Sequence, residues 1–198
     1  MNRRLAKIVL LGACCFLLWY LAYESRWFAR RLCPIRYQRE ISRYSFEHDV
    51  DPFLLLAMIN VESKFSRFAE SPKGARGLMQ IMPETGAWVA EVIGLGEFSP
   101  DMLYEPHVNI RIGSWYLASL QREFGGDLTL ALAAYNAGRG TVHQWLSGGV
   151  WSGGEEHIDR IPFPETRKYV RRVLRSYRMY KWAYRDRWVG EYNYQARF

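Results

Sequence analysis

From residue 37 onward, apolar positions recur at three- and four-residue spacing between breaks rich in Gly and Pro, and no run alternates with the two-residue rhythm of a half-buried strand. This pattern predicts a first helix over 37–48. Asp51-Pro52 then opens a second, with Asp as N-cap and Pro at the first helical position. Phe53 to Val61 is apolar at every position but Asn60, which predicts a helix enclosed on all sides at the centre of a domain. Further helices are predicted from Pro83 to near Gly94, from Pro106 to about Phe124, over 128–136, over 141–146 and over 165–184. The Gly-rich stretch 147–156 reads as a mobile loop.

The N-terminus has a different pattern. Arg3, Arg4 and Lys7 precede an uncharged run from Ile8 to Tyr23, with Trp19, Tyr20 and Tyr23 where an interfacial aromatic belt would lie. The reading adopted is an uncleaved transmembrane helix with a basic juxtamembrane stretch (residues 1–33), followed by one domain (residues 34–198). Two alternatives compete. A cleaved signal peptide lacks an A-x-A-like site. A lipobox at Leu11-Gly12-Ala13-Cys14 is followed by the apolar Phe16-Leu17-Leu18, where a mature lipoprotein usually turns polar. Arg26, Arg30, Arg31, Arg36 and Arg39 outnumber the basic residues before the run, which by charge alone places the domain in the cytoplasm. The same arginines also suit anionic headgroups of the outer leaflet.

Composition narrows the class. With 198 residues, 49% of them apolar and 16% aromatic, the chain can build one packed core and is not disordered. The net charge of +7 suits a polyanion or a lipid surface without choosing between them. Cys14, Cys15 and Cys33 are the only cysteines, so the main domain has neither a disulfide framework nor a thiolate metal site. His48, His107, His143 and His157 lack metal-ligand spacing, and no nucleic-acid-binding motif accompanies the basic last helix. No metal, cofactor or nucleic acid is expected.

One charge is out of place. Glu62 follows Leu55, Met58 and Ile59 at seven, four and three residues, on their buried stripe. A carboxyl there either loses several kcal/mol to desolvation or takes up a proton. The ordinary alternative is a surface Glu ending its helix beside Lys64 or Arg67. Four pieces, beginning with this residue, follow in order: Glu62-Ser63; Ser71 with Gly74-Ala75 and Gly77-Leu78-Met79-Gln80; Ala134-Tyr135-Asn136-Ala137-Gly138; and Pro164-Glu165-Thr166 with Tyr169. Together, over roughly 44–178, they resemble the soluble lytic transglycosylase family of lysozyme-like, murein-cleaving enzymes.

The resemblance implies an all-α domain of the α+β lysozyme-like superfamily, with a cleft, acting on peptidoglycan glycan strands without a cofactor. The family's catalytic Glu falls on Glu62. Its substrate-binding positions fall on Ser63, Ser71, Gly77, Leu78, Met79, Gln80, Tyr135, Asn136, Glu165 and Tyr169. The location that follows is the bacterial inner membrane, single-pass, with the catalytic domain in the periplasm or outside the cell.

Local reasons accompany several of these positions. Gly77 lets backbone approach a sugar closely. Met79 offers a soft apolar face or packs in the core. Tyr135 bonds Glu62, substrate or a backbone carbonyl. Asn136 binds substrate or caps its helix near Gly138, and Glu165 binds at the cleft edge or favours its helix N-terminus.

Glycosidic cleavage needs a proton on the leaving oxygen, and a Glu in an apolar setting holds one near neutral pH. No second carboxylate stands near Glu62 in sequence; Asp101 and Glu105 are the candidates in space. In the resembling family one Glu suffices, with the substrate's acetamido group stabilising the cationic centre and a 1,6-anhydro sugar as product. A lysozyme-type hydrolase on the same fold and a silent murein-binding envelope protein are the competing functions.

Overall fold

The structure is a computed structural model describing residues 3–23 and 26–184. The Arg/Tyr/Trp tail that the sequence shows after Tyr184 lies outside the described residues. In chain order the helices are α1 (Arg3–Tyr23), α2 (Arg26–Leu32), α3 (Gln38–His48), α4 (Pro52–Glu62), α5 (Pro83–Val92), α6 (Pro106–Glu123), α7 (Leu128–Ala137), α8 (Arg139–Ser147) and α9 (Pro164–Tyr184). Two 3-10 turns, Pro100–Tyr104 and Glu155–Arg160, were not foreseen.

α4 begins as its sequence requires. Asp51 caps it, its Oδ1 accepting the Phe53 N–H at 2.8 Å, and Pro52 needs no donor at that place. Every residue from Pro52 to Ile59 is buried, so neighbours must close on all sides. α9 lies along α4 in the most extensive helix pairing among the described residues, burying Val170, Val173 and Leu174. The Tyr177 hydroxyl of α9 also donates to Asp51 Oδ2 at 2.6 Å, fastening the start of α4. α3 packs on α4 and on α6, where His48 Nδ1 meets Ser114 Oγ at 2.9 Å. α7, buried from Thr129 to Ala134, fills the space between α6 and α9.

Two segments differ from expectation in their packing. Among the described residues no regular strand forms, but isolated bridges join Glu70 to Arg76 and Arg76 to Ile81, folding 70–81 into a tight double turn. The stretch 147–156 is mostly exposed but anchored at two points: Trp151 is only 2% exposed, and the Gly154 N–H donates to Asp127 Oδ2 at 3.0 Å.

The N-terminal expectation is corrected. Among the described residues no helix is long and apolar enough to cross a membrane. The physical reason lies in α1 itself: Arg3, Arg4 and Lys7 occupy its first turns. The uncharged part that remains rises only about 24 Å at 1.5 Å per residue, against about 30 Å of hydrocarbon. The single-pass inner-membrane location is therefore contradicted. The basic stretch after α1 also has a protein partner. Arg30 Nε donates to the Ala183 carbonyl at 2.9 Å, while Tyr180 and Tyr184 of α9 donate to the carbonyls of Pro34 and Cys33 at 2.9 and 2.8 Å. Cys33 is fully buried, and desolvation pushes its thiol up to about 11.

Asp51→Ala removes both the cap of α4 and the acceptor for Tyr177. It should lower stability by about 1–2 kcal/mol, read as a fall in the urea midpoint at unchanged m-value.

Candidate functional site

Glu62 is the last residue of α4, and the chain leaves the helix there through a strained turn. Ser63 follows as C-cap, and its Oγ donates to the carbonyls of Ile59 (3.2 Å) and Leu78 (2.8 Å). Lys64 and Phe65 both take positive φ (52° and 63°). This hydroxyl therefore ties the end of α4 to the 77–80 turn.

The 77–80 turn forms the wall behind Glu62. Gly77 has φ +75°, and a Cβ there would stand 2.1 Å from the Leu103 carbonyl oxygen and 2.4 Å from Asn109 Nδ2. Protein packing alone thus requires a glycine at this place. The side chains of Leu78 and Met79 are fully buried, and Met79 lies so close to α6 that a Cβ on Gly113 would sit 2.5 Å from its Sδ. Neither side chain faces a ligand; the expectation of a soft methionine face is corrected to core packing. Gln80 adopts φ 49°, and its Nε2 donates to the carbonyls of Ala69 (3.1 Å) and Gly77 (3.0 Å). Both donors of the amide are spent on the turn, which leaves Oε1 as its free function.

A cavity of about 360 Å³ opens in front of this wall. It is lined by Glu62, Ser71, Gln80, Tyr135, Asn136 and Glu165, together with Pro72, Lys73, Ala75 and Met82. Six of the sequence-predicted residues thus share one cavity, and Ser63, Gly77, Leu78 and Met79 support it from behind. Ser71 Oγ accepts the Ala75 N–H at 3.0 Å, shaping the loop that forms one rim. Tyr135, against the ring of Tyr116 at 5.3 Å, donates to the Met79 carbonyl at 3.0 Å rather than to Glu62. Asn136 Oδ1 accepts the Thr166 hydroxyl at 2.8 Å, joining the end of α7 to the start of α9. Asp101 pairs with Arg76 at 2.8 Å, and neither it nor Glu105 lines the cavity. Glu165 is the second carboxylate that does.

Glu62 retains an open edge to the cavity, but its surroundings are dense enough to raise its pKa to about 7. Desolvation is the cause, opposed by the Tyr169 hydroxyl and by the positive charge of Arg172. Tyr169 is buried with its hydroxyl near the carboxyl; the contact influences titration but is looser than a well-formed hydrogen bond. Burial, with the neighbouring carboxylate adding to it, drives the Tyr135 and Tyr169 phenols well above their ordinary range, so both remain hydroxyl donors.

Sequence reasoning missed Asn109, Lys73, Met82 and Arg172. Asn109 is fully buried, and its side chain accepts from Met79 N–H at 2.8 Å while donating to the carbonyls of Arg76 (2.9 Å) and Leu103 (2.8 Å). It carried the same signal as Glu62: a polar residue on an apolar helical stripe, beside Val108 and Ile112. A larger cavity, about 590 Å³, opens at the other end of α4 around His48, Asp51, Arg122 and Lys181; none of the predicted site residues lines it.

The helical architecture and this arrangement around Glu62 define a lysozyme-like domain of the transglycosylase type. The model of the transglycosylase SLT domain matches residues 40–158, and the chain belongs to that family. The soluble lytic murein transglycosylase of Salmonella typhimurium is 38% identical over 146 residues, 71% of this chain and 22% of its own length. A membrane-bound lytic murein transglycosylase C of Photorhabdus laumondii is 35% identical over 116 residues, 54% of this chain and 32% of that protein. The crystal structure of the 70 kDa soluble lytic transglycosylase of Escherichia coli superimposes with a TM-score of 0.73 at 34% identity, covering 78% of this chain and 25% of that one. The chain thus spans about a quarter of the length of the first relatives it matches.

A carboxyl with a raised folded-state pKa is neutral in folded and unfolded chains alike below about pH 4.5. Above about pH 7 the folded state must carry a poorly solvated charge that the unfolded chain solvates freely, so the penalty grows between those values. Glu62→Gln should therefore stabilise the protein at pH 8 by up to about 3 kcal/mol, with the gain vanishing near pH 4. A pH series of chemical denaturation midpoints for both proteins measures this.

Proposed function

We propose that the chain is a lytic murein transglycosylase in which Glu62 alone serves as acid and then base, carried by the unit read from sequence as residues 34–198. The observation that carries this reading is a carboxyl with a pKa near 7 at the edge of a cavity built from the family's own motif residues. Protonated Glu62 donates to the oxygen linking N-acetylmuramic acid to N-acetylglucosamine, and the C1–O bond breaks. The substrate's acetamido oxygen stabilises C1. Ionised Glu62 then removes the proton from the C6 hydroxyl, whose oxygen bonds C1 and closes the 1,6-anhydro ring. The proton budget balances with no water consumed. A glutamate-to-glutamine mutant of the Pseudomonas aeruginosa transglycosylase Slt, 34% identical with a TM-score of 0.69, is described as inactive, which supports a Glu in this role.

Ser71, Gln80, Tyr135, Asn136 and Glu165 bind the glycan in this reading, the free Oε1 of Gln80 suiting an amide N–H of an N-acetyl group. Ser63, Gly77, Leu78, Met79 and Tyr169 hold that surface and the carboxyl in place. Hydrolysis on the same fold is the second reading, favoured by Glu165, since inverting and retaining glycosidases use a pair of carboxylates.

Incubated with murein sacculi, the protein should release muropeptides ending in 1,6-anhydromuramic acid; products one water heavier, by mass spectrometry, identify the hydrolase instead. Glu62→Gln should remain folded and lose at least about a hundredfold in rate. The rate should fall as pH rises through about 7, because the neutral carboxyl is the working form. A rate unchanged up to alkaline unfolding would exclude Glu62 as the acid.

A further inference from the structure

Two walls of the Glu62 cavity meet beyond one of its ends. The lining includes Met82, the N-cap of α5, and Asn136, next to the last residue of α7. Trp88 stands six residues along α5 from Met82, about 9 Å on, and Arg139 opens α8 three residues after Asn136. The Arg139 guanidinium lies over the Trp88 ring, 5.3 Å from its centroid. The rings behind this contact lead back to the cavity. Trp88 meets Tyr116 at 6.1 Å, and Tyr116 meets the cavity-lining Tyr135 at 5.3 Å.

The two partners differ in rigidity. Trp88 is held edge-on by Trp115 at 5.6 Å and by Tyr116, both half-buried. Arg139 is 55% exposed and pairs with Glu123 at 3.7 Å. Glu123 is itself held through its other oxygen, 2.6 Å from His143 Nε2. An exposed cation thus rests on a fixed ring. An exposed cation–π contact and an exposed ion pair each shift an equilibrium by about fivefold at most, so Arg139 can leave the ring.

A strand cut at an internal bond extends past the cavity on both sides, whereas a strand cut at its end extends past one side only. A contact that bridges the walls at one end opposes the first arrangement and leaves the second unhindered. We propose that Arg139 is a latch, closed on Trp88, that biases cleavage toward strand ends, so that these two residues determine where along a glycan the protein cuts. The inference rests on the glycan-cleaving reading of Glu62 and adds the place of cutting to it. It holds whether the product is an anhydro sugar or a reducing end.

The test digests end-labelled murein glycan strands of defined length with the full chain to low conversion and reads product lengths by chromatography. Wild type should release short pieces from strand ends while the remaining strands keep nearly their full length. Arg139→Ala should raise the share of internal cuts about three- to tenfold, since the ring contact and the ion pair are lost together. Trp88→Ala should raise it as well, and Arg139→Lys should keep part of the closure. The share is a ratio within the active molecules, so a lower yield of folded variant does not alter it. A Trp88 ring that stacked on a sugar would give the opposite sign, with fewer internal cuts in Trp88→Ala. That result, a wild-type pattern in Arg139→Ala, or internal cutting by the wild type overturns the latch alone. No cleavage by the wild type sinks the reading of Glu62 and the latch with it.

Discussion

A helix apolar on every face has no stable place at a surface, and the enclosure of α4 organises much of this protein. Eight consecutive buried residues oblige α3 and α9 to pack around it, and Tyr177 of α9 fastens its capped end. The functional consequence appears where that enclosure stops. Glu62 is the first charge after the apolar run, so it inherits the dry surroundings of the helix while retaining an edge toward solvent. Its raised pKa follows from position in the chain, since desolvation is the main cause. The two groups that oppose the shift, Tyr169 and Arg172, both come from α9, the helix that does most of the enclosing.

The wall opposite depends on a different device. The turn from Arg76 to Ile81 has little regular structure of its own, and one buried amide, that of Asn109, accepts from its Met79 N–H and donates to its Arg76 carbonyl. Gly77 permits that amide to come close, Ser63 ties the turn to α4, and Tyr135 ties it to α7. Ser63 and Gly77 build this wall through a hydroxyl and the lack of a side chain, whereas Tyr135 both braces it and lines the cavity.

Much of the helical framework and the anomaly at Glu62 were legible in sequence because both depend on local signals: Asp-Pro and Glu-Pro starts, apolar spacing, a charge on a buried stripe. What sequence could not resolve was the direction of side chains in turns. Leu78 and Met79 stand beside Gln80 in one motif, yet only Gln80 faces the cavity, because left-handed backbone at Gly77 and Gln80 sends the two between them inward. Asn109 was missed although it broke its stripe as plainly as Glu62. A neutral amide in a helix attracts less notice than a charge. At the N-terminus, apolar character alone suggested a membrane span, and the basic residues inside α1 set its usable length.

Asp127 divides its two oxygens between distant tasks. Oδ1 caps α7 by accepting from the N–H groups of Thr129 and Leu130, while Oδ2 holds Gly154 in the loop anchored by Trp151. One anion thus fastens a segment 27 residues away to the start of α7. The far end of the same helix carries Tyr135 and Asn136 into the cavity. A single ten-residue helix therefore meets the glycine-rich stretch at one end and the Glu62 cavity at the other.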